Sequence, residues 1–135
     1  MILIVCVDDH NGMMFNHRRQ SQDRVLRADI LELTDGKKIW MNAYSRKQFA
    51  ESDAEKIMVD ETFLDAAGDG EFCFVENADV SGCVERIEEI YLYRWNRDYP
   101  ADVYFPVDLS VWKCVETKEF AGSSHEKITR ERYTR

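Results

Sequence analysis

The segments IEEIYLYRW (87–95), DYPADVYFPVDLSVW (98–112), EF (119–120) and HEKITRERYTR (125–135) decide the fold. Residues 89–95 are apolar and aromatic, which reads as a buried strand. The acidic stretch after it carries both prolines of the chain, Pro100 and Pro106, and proline lacks the amide that a sheet ladder needs. It predicts an irregular turn running into Phe105-Pro106. Strands near 111–119 and 126–133 follow, and Ala121-Gly122-Ser123-Ser124 between them predicts an antiparallel hairpin.

Upstream, Ile2 to Val7 is a continuous β-branched apolar run stopped by Asp8 and Asp9, the pattern of a central strand buried on both faces. Residues 23–34 place Val25, Leu26, Ile30 and Leu33 on one helical face and Arg24, Arg27, Asp29 and Glu32 on the other, with Ser21 or Gln22 at the start and Asp35-Gly36 at the end. A short strand over Lys38–Asn42 precedes a capping box, Ser45-x-x-Gln48, flanked by Tyr44 and Phe49 as a staple. Asp60 reads as the cap of a further helix that stops at Gly68. Strand 71–75 and a helix over 79–88 complete the alternation. Strand and helix alternating, then two antiparallel strands, predict one α/β domain: a mixed, mostly parallel sheet with helices on both faces. The predicted core is Ile2, Ile4, Cys6, Leu26, Ile30, Phe74, Leu92 and Val115.

The chain has 135 residues and a formal net charge of −8, which excludes a general nucleic-acid or anionic-membrane binder, since phosphate selects a basic face. The four cysteines form no C-x-x-C pair, and three lie within apolar patterns, which predicts free thiols and a reducing, cytoplasmic location. No basic residues precede the apolar start, so it reads as a strand and not a signal peptide or membrane span. His10, His17 and His125 have no metal-ligand spacing, and neither a G-x-S-x-G, a P-loop nor a G-x-G-x-x-G run occurs.

In order and spacing the C-terminal segments resemble the second half of dihydrofolate reductase, where an L-Y-L-T-like strand, a G-D-T-x-F-P turn, a W-x-x-V strand and a final strand follow one another. MILIVCVDDHNGMMFN is similar to that family's first strand and active-site loop, KIWMNAYSRKQF to its V-x-M-G-R-x-T segment, and VDETFLDAAGDGEFCFVENADV to the stretch ending in its Gly-Gly turn. The resemblance implies a three-layer dihydrofolate-reductase-like α/β fold. It also implies that Asp23 stands where the family holds the pterin, as anchor or proton relay. As a residue, Asp23 reads first as an ordinary first-turn helix acid favoured by the macrodipole.

The other family residues are replaced. Asn42-Ala43-Tyr44-Ser45 stands for the Gly-Arg-x-Thr turn and Glu76-Asn77-Ala78-Asp79 for the Gly-Gly turn, so the Arg is missing and a carboxylate meets the place of a pyrophosphate. Arg18-Arg19-Gln20-Ser21 replaces Pro-Trp, Arg24 and Arg27 replace apolar cleft residues, and Tyr93 replaces the Thr that partners the acid. The chain is also shorter between residues 49 and 59, where the family carries an Arg for the substrate's glutamate tail. These substitutions predict no bound cofactor and a degenerate, non-catalytic module for a small ligand or a protein. The alternative is a divergent NADPH-dependent dihydrofolate or pterin reductase that keeps Asp23. His17, Arg18, Arg19, Arg24 and Arg27 form the local basic cluster, either an anion or ligand site or a solvated set paired with Asp8, Asp9 or Asp29.

Overall fold

The structure, a computed structural model, describes residues 1–49 and 55–135. Seven strands form one sheet in the order β5-β4-β6-β1-β7-β10-β9. Strand β1 (Ile2–Val7) is central and runs parallel to both β6 (Phe72–Val75) and β7 (Glu89–Arg94). On one side β4 (Ile39–Met41) pairs parallel with β6 and with β5 (Ile57–Val59). On the other, β10 (Ile128–Thr134) is antiparallel to β7, and β9 (Lys113–Phe120) is antiparallel to β10. This is the mixed sheet that the sequence predicts, with its antiparallel pair at one edge.

The apolar run of β1 is explained by two covered faces. Ile2 and Ile4 pack with Leu26 and Ile30 of helix α1 (Arg24–Leu33), while Leu3, Val5 and Val7 pack with Phe63 and Ala67 at helix α3 (Phe63–Ala66). Asp23, not Ser21 or Gln22, caps α1: its backbone is extended and its carboxylate accepts from the amides of Val25 and Leu26. Asp29 does not face solvent as the helical pattern suggests. It is buried and takes Lys118 at 2.8 Å, Arg130 at 2.7 Å and the Tyr93 hydroxyl at 2.6 Å.

Three further expectations change. The cap of the short helix α2 (Ala43–Arg46) is Asn42, because Ser45 and Gln48 turn inward to Glu76 instead of forming a capping box. Asp60 accepts from the amide and hydroxyl of Thr62, which itself is the cap residue of α3. No α-helix forms over 79–88: Asp79 ties off a turn through the Ser81 amide, and only Val84–Arg86 makes a short 3₁₀ turn. Val80 and Ile87 are nonetheless buried. In the core, Val115 is 44% exposed because β9 is the sheet edge, and Cys6 is only partly buried. Residues 50–54, within the shortened 49–59 stretch, lie outside the described residues.

A second, three-stranded sheet joins β3 (Arg18–Arg19), β2 (Gly12–Phe15) and β8 (Val103–Tyr104). Asn16 and His17 both have positive φ, 51° and 61°, and Phe15 pairs with Arg18, which makes a two-residue hairpin of the primed type. Gly12 is required by contact: a Cβ there would lie 2.6 Å from the Ala101 Cβ and 2.7 Å from an Asp8 carboxylate oxygen. No described helix is long and apolar enough to cross a membrane.

Candidate functional site

From β1 the chain crosses to one side of the sheet, and from β6 it crosses to the other. The carboxyl ends of these adjacent strands therefore flank a topological switch point, the place where open α/β sheets bind ligands. Here it is filled. Glu76, directly after β6, is buried and accepts from Arg19 Nε at 2.9 Å, Arg19 Nη2 at 3.1 Å, Ser45 Oγ at 2.8 Å and Gln48 Nε2 at 3.2 Å. The guanidinium of Arg19 lies 4.5 Å from the centre of the Tyr44 ring and also donates to the Tyr44 carbonyl. Burial pulls the Arg19 pKa down, but the bond and charge of Glu76 outweigh it and raise it. The cavity lined by Cys6, Arg19, Ser21, Gln48, Glu76 and Trp95 among others is about 10 Å³, while a separate pocket of about 230 Å³ lies against Val75, Asn77, Ala78, Asp79 and Val80. The first is the least space a single water needs.

Two amides of α2 beside the crevice are also taken. Glu61 accepts from the amide of Ala43, and the Asn42 side chain accepts from the amide of Ser45. Asn42 Nδ2 reaches Asn77 Oδ1 at 2.7 Å and ties the two turns together. A phosphate arriving at α2 meets these two paired amides and the carboxylates of Glu61 and Glu76, which repel it.

Asp23 is equally occupied. Besides its two cap bonds it accepts from the amides of Ser123 at 3.0 Å and Ser124 at 2.8 Å and from Ser124 Oγ at 3.1 Å. His125 Nδ1 is 3.0 Å from Asp23 Oδ2, and its ring stacks on Trp95 with centroids 4.6 Å apart. Burial pushes the Asp23 carboxyl up, but the bonds from His125 and from the Ser124, Ser123 and Leu26 amides outweigh it and hold it well below the usual carboxylate range. The approach is so close that a Cβ on Gly122 would lie 2.5 Å from Asp23 Oδ2.

The whole chain superposes on a solved structure of dihydrofolate reductase from Enterococcus faecalis, complexed with NADP(H) and RAB-propyl. The TM-score is 0.70, over 99% of this chain and 95% of that one. The chain has the dihydrofolate reductase fold. Sequence identity is 12%, so the likeness shows the fold alone. No family model matches the chain, and no curated protein matches it.

Within this reductase fold the residues expected at the site are distributed unevenly. Tyr93 does not partner Asp23; it bonds Asp29, and burial, then the Asp29 charge, push its hydroxyl pKa up. Of the basic cluster, Arg18 and Arg19 line one open groove of about 280 Å³ with Phe15, Asn16, Gln20, Tyr99 and Pro100. His17 is exposed in the hairpin turn, while Arg24 and Arg27 lie on α1, Arg27 reaching Gln22 at 3.4 Å. The acid paired with Arg19 is Glu76, whereas Asp8 accepts from Gln20 and the amides of His10 and Gly12. Sequence reasoning gives His125 no place at the site and assigns Ser45 and Gln48 to a capping box instead. The Gly122-Ser-Ser-His turn is the one local signal that a close approach occurs there.

Proposed function

We propose that this chain is a degenerate dihydrofolate-reductase-like protein that has lost reduction and serves as a binding module for a small ligand or a protein. The observation that carries this reading is the Glu76 carboxylate, held by Arg19, Ser45 and Gln48 inside the crevice at the switch point. A dinucleotide would have to break this pair, displace the hairpin that carries Arg19 and bring its phosphates to Glu76 and Glu61. The surface offered in its place is the groove with Phe15, Arg18, Tyr99 and Pro100, where aromatic walls and a cation suit a small anionic ligand.

A second reading has Asp23 in its favour. The acid stands at the start of α1, and the similar bacterial structure carries NADP(H). A divergent NADPH-dependent reductase would use Asp23 as pterin anchor after the crevice opens. Calorimetric titration with NADPH separates the two readings. The binding-module reading expects no affinity tighter than about 1 mM, whereas a low-micromolar dissociation constant, about −8 kcal/mol, would overturn it.

A further inference from the structure

The large sheet ends in two unlike edges. At one, β5 is three residues long, and an edge that short offers little to a further strand. At the other, β9 runs for eight residues and is exposed at every position except the partly buried Phe120. It holds no proline, and no described strand covers its outer side. The amides and carbonyls along such an edge can continue the ladder into another chain.

The side chains of β9 select which chain. Its pairing with β10 is regular from Glu116 to Phe120 and shifts only beyond, between Arg132 and Tyr133. Within the regular stretch Glu116 and Lys118 share the face covered by α1. Lys118 Nζ lies 2.8 Å from Asp29 Oδ1, and Glu116 lies 3.5 Å from Arg130 Nη2, whose guanidinium also holds Asp29 at 2.7 Å. A second β9 can pair antiparallel with the first about a twofold axis through one residue, which sets opposite residues on the same face. An axis through Glu116, Lys118 or Glu119 opposes like charges. An axis through Thr117 instead sets Glu116 of each copy against Lys118 of the other, with the two threonines face to face. Asp29 already holds Lys118 in place and takes one of its three ammonium donors, so Glu116 of a second copy meets an ordered cation with donors to spare.

We propose that β9 is a self-association edge: two copies of this chain pair antiparallel through β9, centred on Thr117, and join their seven-stranded sheets into one. Lys113, Glu116, Lys118 and Glu119 deter strands in other registers and admit this one. The pairing is independent of what the crevice or the groove binds.

Sedimentation equilibrium of the purified chain tests it between about 10 µM and 1 mM, where small, transient interfaces associate. The average mass is expected to rise towards that of a dimer. Glu116→Lys opposes two lysines at two places in the dimer and should weaken association about tenfold, with Glu116→Gln falling between it and the parent chain. Urea melts of both variants confirm that they fold. Cross-linking reads the register: with Cys114 changed to Ser, Thr117→Cys should give a disulfide-linked dimer on mild oxidation, because directly opposed residues lie within disulfide reach. Glu119→Cys in the same background faces Val115 of the second copy and should not. A monomer at about 1 mM, association unchanged in Glu116→Lys, or equal cross-linking at 117 and 119 would overturn the proposal.

Discussion

Asp23 and Glu76 are both buried carboxylates, and the fold answers them by different means. Asp23 is held largely by main-chain amides, from Val25 and Leu26 on one side and from Ser123 and Ser124 on the other, with His125 added. Glu76 is held by the side chains of Arg19, Ser45 and Gln48. The first arrangement follows from the path of the chain: any fold that brings the β9–β10 turn to the start of α1 offers those amides. The second follows from residue identity, because the same path with other side chains would leave an open crevice. Asp23 therefore acts as a tie between distant segments, and Glu76 as a plug.

The largest effect should come from breaking the tie. Asp23→Ala removes a helix cap and orphans the buried donors of Ser123, Ser124 and His125, and is expected to cost about 4 kcal/mol in urea melts. A loss below about 1 kcal/mol would mean that water replaces the carboxylate and that the tie is no stronger than a surface contact.

Acid should sharpen the contrast. The folded-state carboxyls of Asp8, Asp23 and Asp29 are held below their ordinary values: burial raises each, and hydrogen bonds, joined at Asp29 by the Arg130 charge, more than reverse it. Below about pH 4, the ordinary aspartate range, the unfolded chain takes up protons that the folded chain refuses, so stability present at neutral pH is lost as pH falls. Asp23→Asn should make this acid limb visibly shallower. An unchanged slope between about pH 4 and 2 would remove Asp23 from the explanation.

The fold was readable because its signals are local or periodic: the two-face run of β1, the helical face carrying Leu26 and Ile30, and the proline turn before β9. The misreadings come from tertiary competition. Ser45 and Gln48 suit a capping box but are recruited by Glu76, and the Asp79–Ser81 turn with Gly82 outweighs the helical spacing of Val80, Val84 and Ile87. Val115 belongs to an apolar pattern whose strand happens to be the last in the sheet. At the site, the misplaced charge of Glu76 was legible, but its partner was not. Arg19 lies 57 residues away, and the Asp23–His125 contact spans 102. Nothing in single-sequence spacing marks either pairing.

The central claim, that the crevice is closed by its own ion pair, is tested most directly by a double-mutant cycle on Arg19→Ala and Glu76→Ala. With Glu76 9% and Arg19 21% exposed, Arg19→Ala should leave a buried carboxylate uncompensated and cost about 3 kcal/mol. The double variant should recover much of that loss, giving a coupling energy above about 2 kcal/mol. A coupling below about 0.5 kcal/mol, the size found for exposed pairs, would show that Arg19 does not hold the crevice shut and would contradict the account.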